Sequence, residues 1–360
     1  MPDEGSPRLG PTGPSPQSAP RYRTRLPKVV IQIPCLDEED SLPQTLADLP
    51  RTLPGVGKVE WLVIDDGSRD ATAEVARCLG VDHVIRLGRH KGLARAFAAG
   101  LDAALAAGAD IIVNTDADNQ YHAADIERLI EPILAGRADI VIGDRSPGTL
   151  AHFSPTKRWL QRMGSAVVRL ASDTDVPDAP SGFRALSRDA ALQTNVFGSL
   201  TYTLETIIQA GQRGLRIAHI PIGTNPVERP SRLIRSTLSY VFLSACQIVQ
   251  IFSIYRSFRF FGLLGTVPFF LGFLLGIRWI VLVLLEGAVR THVPSLILAA
   301  ILMLMGSGLW MLAFIAQLLS VNRRILEEIQ LDLRRTRYER SRPIEEEDAR
   351  IEVRTPFAAE

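Results

Sequence analysis

The stretch Ile111-Ile112-Val113-Asn114-Thr115-Asp116-Ala117-Asp118-Asn119-Gln120 contains the most informative junction of the sequence, where a short β-prone run ends in acid. A brief apolar run of this kind suits a strand buried on both faces, as found in parallel sheets. Asp116 and Asp118 follow at its carboxyl end. An Asp-x-Asp pair on a turn offers carboxylate oxygens to a hard divalent cation such as Mg²⁺ or Mn²⁺, which completes its shell with phosphate oxygens and water. A diphosphate leaving group needs such a cation, because negative charge gathers on it as its bond to a sugar breaks. Many solvated turns contain the same pair, so its weight comes from its place at a strand end.

The same construction recurs along residues 28–222. Val29–Ile33, Trp61–Ile64, His83–Leu87 and Ile140–Gly143 read as further strands, and Asp70–Leu79, Leu93–Ala107 and Ala124–Ala135 as helices. Continuous apolar strands alternating with helices predict an α/β fold with a mostly parallel sheet covered on both faces. In such sheets the ligand site lies at the carboxyl ends of the strands. The acidic residues fall there: Asp37–Glu39, Asp65–Asp66 and Asp116–Gln120. In Ile64-Asp65-Asp66-Gly67-Ser68 a carboxylate can accept hydrogen bonds from a nucleobase or ribose, and the glycine permits a sharp turn. Ser68 or Asp70 also suits the N-cap of the next helix, and Asp37 that of the helix after the first strand.

The rest of the chain divides by composition. Residues 1–27 include seven prolines and no apolar period, which predicts a disordered tail. No signal peptide is legible there, so the first domain is expected in the cytosol. Residues 28–230 form the expected catalytic domain. Residues 231–259 carry basic ends around a helical apolar face, as in interfacial amphipathic helices on anionic lipid. Phe260–Ile277 is 18 residues without a charge and Val293–Val321 is 29, so each can span a bilayer once. Region 260–321 is therefore expected to be a two-helix transmembrane hairpin. Arg256, Arg259, Arg323 and Arg324 flank it on one side and Arg290 alone lies in its loop, which predicts both termini and the catalytic domain on the cytoplasmic side of the inner membrane. Region 322–360 reads as a solvated amphipathic helix and tail. Its stripe Ile325, Ile329 and Leu333 could pair with a neighbouring subunit, giving a homo-oligomer, though solvated surface is the commoner explanation. A formal net charge of +1 suggests no nucleic-acid partner. The three cysteines, Cys35, Cys78 and Cys246, show neither metal-ligand nor disulfide spacing.

Taken in order, these elements resemble the GT-A fold glycosyltransferases of family 2, and more narrowly the dolichyl-phosphate mannose synthase-like branch of polyprenyl-phosphate sugar synthases. The resemblance covers about residues 28–232. It extends to Lys91-Gly92-Leu93-Ala94-Arg95-Ala96, Gly143-Asp144-Arg145, Asp178-Ala179-Pro180-Ser181-Gly182-Phe183-Arg184 and Arg229-Pro230-Ser231-Arg232. It implies a GT-A (nucleotide-diphospho-sugar transferase) Rossmann-like sheet followed by the interfacial and transmembrane helices. It also implies that Pro34, Leu36, Glu38, Ile64 and Asp66 line a nucleoside pocket. Asp116, Ala117 and Asp118 would face the nucleotide sugar, with Asp118 and Gln120 at the metal. Arg145 would sit near the donor, and Arg229 and Arg232 would meet donor or acceptor phosphates. Two positions depart from the family pattern: Asp37 stands where Asn is usual, and Arg229–Arg232 replaces the usual Gly-Glu-Ser-Lys.

The implied reaction moves a sugar from a UDP- or GDP-sugar to a polyprenyl or dolichyl phosphate, with inversion at the anomeric carbon. A lipid monophosphate is already an anionic nucleophile, so a general base is not required. Glu205 is the best placed carboxylate should one be needed. Two alternatives are weighed against this reading. A processive polysaccharide synthase would carry Gln-x-x-Arg-Trp, but Pro155 stands at the Gln position before Arg158-Trp159. A non-catalytic nucleotide-sugar-binding scaffold would have no need of metal ligands.

Overall fold

The computed structural model describes residues 25–145, 178–196, 202–225, 257–286 and 293–339. The expected interfacial segment, apart from its last three residues, and the basic residues Arg229 and Arg232 lie outside this set, as does most of the N-terminal tail.

Seven strands among the described residues form one mixed, mostly parallel sheet: β1 (Lys28–Cys35), β2 (Lys58–Asp65), β3 (His83–Arg86), β4 (Ile111–Asn114), β5 (Ile140–Asp144), β6 (Arg184–Ser187) and β7 (Ile217–Pro221). Their order is β3-β2-β1-β4-β6-β5-β7, and β6 alone runs antiparallel, between β4 and β5. Five of these strands follow the sequence expectation; β6 and β7 are additions. The helices are α1 (Leu42–Asp48), α2 (Thr72–Cys78), α3 (Leu93–Ala106), α4 (Asp125–Leu134), α5 (Arg188–Gln193), α6 (Thr203–Gln212), α7 (Ser257–Glu286) and α8 (Val293–Glu339).

The sheet has a core on each face because strand side chains alternate. On one face Val30, Leu62, Ile64 and Ile112 pack with Phe97 and Leu101 of α3 and Ile207 and Ile208 of α6. On the other, Val29, Ile31, Ile33 and Val63 pack with Leu46 of α1, Ala76 of α2 and Ile126 and Leu129 of α4. Both faces of β1 are thus dry, which explains its continuous apolar sequence. The register aligns Pro34 with Ile64 and Gln32 with Asn114, so β1, β2 and β4 end at the same edge.

Helices α7 and α8 contain 30 and 47 residues, about 45 and 70 Å at 1.5 Å per residue. Both are long and apolar enough to cross a membrane. They pack as an antiparallel pair through small residues. A Cβ on Gly306 would lie 2.6 Å from Phe269 Cβ and 2.7 Å from the Gly265 carbonyl oxygen, so only glycine admits this approach. Trp310 Nε1 donates to the Gly262 carbonyl at 3.2 Å, and its ring sits 4.5 Å from that of Phe269. The outward leucines are bare; Leu263 is 72% and Leu284 78% exposed.

The α8 helix continues unbroken past Val321, and its last turns are not wholly solvated, as the sequence suggested. Glu327, Leu331, Arg334 and Tyr338, spaced to share one helix face, turn toward the sheet domain, where Leu331 and Tyr338 join the α3/α6 core. The stripe Ile325, Ile329 and Leu333 points away and stays more than half exposed. Half-buried ion pairs and a tyrosine, rather than the apolar stripe, make the contact, and that is why the sequence pattern pointed to the other face.

Candidate active site

At the ends of β1 and β2 two loops are laced together. The Asp37 amide donates to Ser68 Oγ at 3.0 Å, and the Arg69 amide donates to Asp37 Oδ1 at 2.8 Å. Asp37 has a φ of 53°, the left-handed region that Asn and Asp tolerate best among non-glycine residues. The departure from the usual Asn therefore preserves the backbone. Asp37 caps no helix: Ser41 stands at the N-cap of α1 and Ala71 at that of α2, neither with a side-chain capping bond. Asp70 instead accepts the Thr72 amide at 3.0 Å and the Glu39 amide at 3.1 Å.

Of the expected nucleoside-pocket residues, Pro34 and Ile64 are buried at the strand ends, while Leu36 and Glu38 are half-buried in the loop after β1. Ser41 Oγ donates to the Glu38 carboxylate. Asp65 is fully buried; it accepts the Ser68 amide at 2.7 Å and pairs with Arg86 at 3.1 Å. Asp66 accepts the amides of Lys91 and Gly92, each at 2.8 Å, and meets His90 Nδ1 at 2.8 Å. Asp66 thus holds the loop that starts α3; its Oδ2 meets both Gly92 and His90, while its Oδ1 meets Lys91 and keeps a second lone pair for a ligand. Gly67 has a φ of 82°, and a Cβ there would lie 2.7 Å from the His90 amide nitrogen. That contact ties the second acidic element to the Lys91-Gly92 motif.

The acidic turn after β4 is held from both sides. Thr45 Oγ1 donates to the Ala117 carbonyl at 2.8 Å, and Asn119 Nδ2 to Asp48 at 2.8 Å. On the other side the Asn225 amide donates to the Gln120 carbonyl at 2.9 Å, and Tyr121 bridges to Thr224. The chain that leads toward Arg229 and Arg232 is therefore stitched to the turn. Asp118 is exposed, and its Oδ1 accepts the Gln120 amide at 3.1 Å; Gln120 is half-buried. Asp116 is half-buried and lies tight against Gly182, where a Cβ would be 3.1 Å from both its oxygens. Burial, followed by the charge of Asp118, pushes its carboxyl up to about 6.

Arg145 forks onto Asp178, with Nε to Oδ2 at 2.8 Å and Nη2 to Oδ1 at 3.0 Å. Asp178 is fully buried and Arg145 half-buried, its side chain 20% exposed. Arg145 also draws Asp116 downward electrostatically. Its charge thus reaches the acidic turn, although its guanidinium is occupied by protein. Glu205 lies half-buried in the first turn of α6.

Among the described residues no three His, Cys, Asp or Glu side chains group as a metal cage. Asp116 and Asp118 are hard oxygen donors, and the charge of Asp118 raises the Asp116 carboxyl, which a divalent cation would relieve. Such a pair fits Mg²⁺ or Mn²⁺, which keep waters and take phosphate oxygens.

The sequence model described as Glycosyl transferase family 2 matches residues 30–193. An uncharacterized glycosyltransferase of Mycobacterium tuberculosis is 32% identical over 204 residues, 55% of this chain and 85% of that one. The chain belongs to glycosyltransferase family 2. Further relatives in the family include an undecaprenyl-phosphate mannosyltransferase of Micrococcus luteus, 28% identical over 54% of this chain and 82% of that one. Another is a polyprenol monophosphomannose synthase of Mycolicibacterium smegmatis, 27% identical over 54% of this chain and 76% of its own. A solved structure of glucosyl-3-phosphoglycerate synthase from Mycobacterium tuberculosis, with Mn²⁺ and UDP-glucose, covers 63% of this chain and 78% of its own at 22% identity and a TM-score of 0.49.

This family 2 glycosyltransferase has site-lining groups that sequence reasoning assigned no role. Arg184 is fully buried, stacked 5.2 Å from the Tyr202 ring, and donates to the carbonyls of Ser181 and Thr203. Tyr121 hydrogen-bonds Asp116 and accepts the Gly182 amide at 3.2 Å. Asp178 and Arg184 sit in the quoted Asp178–Arg184 motif, so a signal existed for them. Gln32 also signals itself, as one amide side chain inside the apolar run of β1.

Proposed function

We propose that this glycosyltransferase moves a sugar from a nucleoside-diphosphate donor to a polyprenyl phosphate at the cytoplasmic surface of a membrane. The observation that carries the reading is the pair Asp116 and Asp118, electrostatically coupled at the end of β4, in a chain that continues into two bare apolar helices of bilayer length. Two relatives named for undecaprenyl-phosphate mannosyl transfer and polyprenol monophosphomannose synthesis support the acceptor class. The distribution of Arg256, Arg259, Arg323 and Arg324 around the spans supports the orientation.

In the proposed reaction a phosphate oxygen of the lipid attacks the anomeric carbon, a new carbon–oxygen bond forms with inversion, and the bond to the nucleoside diphosphate breaks. Mg²⁺ or Mn²⁺, held by Asp116 and Asp118 with Gln120 beside them, would offset the charge that grows on the departing diphosphate. Pro34, Leu36, Glu38, Ile64, Asp66 and Ala117 border the donor's nucleoside and sugar. Arg145 keeps one positive charge against the acidic turn. Arg229 and Arg232 would meet phosphates, so that two anions can approach. The nucleophile is already ionised, so Glu205 is not required as a base.

The test is transfer of labelled sugar by the purified full chain in vesicles that contain polyprenyl phosphate, with UDP- and GDP-sugars offered in turn. The expected product is a lipid-linked monosaccharide. A long polymer, or nucleotide binding without turnover, would contradict the proposal.

A further inference from the structure

The end of α8 is bolted to the sheet domain at two points two helical turns apart. Glu327 accepts from Arg213 Nη2 at 2.8 Å, at the end of α6, and from its own helix neighbour Arg323 at 2.7 Å. Seven residues on, Arg334 meets four acceptors. Its Nη2 donates to Asp102 of α3 at 2.6 Å, and its Nη1 to the carbonyls of Thr194 at 2.8 Å and Leu192 at 3.2 Å and to Asn195 Oδ1 at 3.3 Å. The Leu192 carbonyl is one of those that the end of α5 leaves without an intrahelical partner. Tyr338 completes the clamp: its hydroxyl donates to Asp102 at 3.1 Å, and its carbonyl accepts from Arg188 at 3.2 Å.

The clamp grips α3 and α6 away from the site, while their first turns serve it. Asp66 binds the amides of Lys91 and Gly92 where α3 begins, ten residues before Asp102, about 15 Å along a helix. Tyr202, which precedes α6, bonds to Asn114 beside the acidic turn. The first helix after the bilayer is thus the same continuous helix that crosses it, and it is fixed to the far ends of the two helices that carry the site.

We propose that Arg334 is a positioning residue for the membrane-borne acceptor. It makes span and catalytic domain one rigid body, and so fixes the reach between the donor site and a phosphate held at the lipid surface. This inference rests on the acceptor reading given above. Loss of the clamp lets the domain swing on the α8 extension. The donor site itself stays whole, so the cost falls on an acceptor whose position is set by the bilayer, and not on one free in solution.

The experiment compares the full chain with Arg334→Ala, Arg334→Lys and Asp102→Asn. Asp102 is half exposed, so its variant keeps the test open should Arg334→Ala fold poorly. Each is assayed with a long polyprenyl phosphate in vesicles and with a short, water-soluble prenyl phosphate, and hydrogen exchange is followed over residues 327–338. For Arg334→Ala the expected results are faster exchange over 327–338, a roughly tenfold or larger fall in kcat/KM with the vesicle acceptor, and a change within about twofold with the soluble one. Arg334→Lys should recover part of the loss, and Asp102→Asn should show it in milder form. Equal losses on both acceptors, or unchanged exchange, would overturn the proposal. If the unsubstituted chain uses neither acceptor, the acceptor reading fails, and the exchange measurement still decides whether the clamp exists.

Discussion

Asn114 and Tyr202, 88 positions apart, meet in a buried hydrogen bond of 2.9 Å two residues before Asp116. Asn114 also accepts from Gln32 Nε2 at 2.9 Å and donates to the Gly182 carbonyl at 2.9 Å. Phe97 stacks on Tyr202 with ring centres 3.8 Å apart. One amide thus ties β1, β4, the loop before β6 and α6 together under the acidic turn. Asn114→Ala would leave Gln32 and Gly182 without this partner in the dry interior, at a cost of about 2–4 kcal/mol. Tyr202→Phe keeps the stack and should cost about 1 kcal/mol. Thermal unfolding of the detergent-purified chain checks this order; equal midpoints for both variants and the native chain would contradict it.

Gly182 borders Asp116 so closely that a methyl group would meet both carboxylate oxygens at 3.1 Å and the Tyr202 hydroxyl at 3.2 Å. Gly182→Ala should therefore disturb the acidic turn more than the fold. The expected outcome is at least about a tenfold loss of transfer, 1.4 kcal/mol in the barrier, with little change in the unfolding midpoint. Full activity would mean that Asp116 can move away without consequence.

The Arg145–Asp178 fork sets a half-buried guanidinium on a fully buried carboxylate, and removing the arginine leaves that buried charge alone. Arg145→Ala should destabilise by about 3–5 kcal/mol. The double variant with Asp178→Asn should recover much of that stability and none of the activity. Arg145→Lys keeps the charge but not the two-pronged geometry, and should fall between the two. Recovery of transfer in the double variant would remove Arg145 from the site.

How much of this was legible in advance depends on how local each signal is. The strands β1, β2, β4 and β5 were readable because a strand dry on both faces writes itself as a continuous apolar run, whereas β3, half-buried to exposed, was readable from its β-branched Val84 and Ile85. β6 and β7 were not: each is four or five residues long, and β7 includes His219 and a half-exposed face, so neither stands out from its flanks. The acidic turn was legible from Asp116 and Asp118 together with their place at the end of an apolar strand run. Its supports were not, because Thr45, Asn225 and Tyr202 reach it from 70 to 110 residues away and carry no pattern of their own. The docking of α8 failed to show for a similar reason. Its contacts run through Arg334, Glu327 and Tyr338, residues that a periodicity argument assigns to water.

Glu60 gives the fold a pH dependence of predictable sign. Burial raises its carboxyl, but hydrogen bonds from Lys28, Lys58 and His83 outweigh this and bring it from 4.5 to about 2. A depressed carboxylate contributes stability above its unfolded value, and that stability is lost as pH falls from about 4.5 toward 2. The shift corresponds to at most ~3 kcal/mol; because Lys58 is 67% exposed and screened by solvent, about 1–2 kcal/mol is expected. Glu60→Gln should lower the unfolding midpoint at pH 7 and flatten its fall between pH 5 and 2. An unchanged midpoint at pH 7 would contradict this assignment.

The most direct measurement is the rate of sugar transfer to polyprenyl phosphate by the native chain and by Asp118→Ala, each with Mg²⁺ or Mn²⁺ and again with a chelator. If Asp116 and Asp118 hold the cation that steadies the departing diphosphate, the native rate collapses on chelation and returns with metal, and the variant stays at least about a hundredfold slower at any metal concentration. A variant as fast as the native chain, or a native rate indifferent to the chelator, would contradict the account.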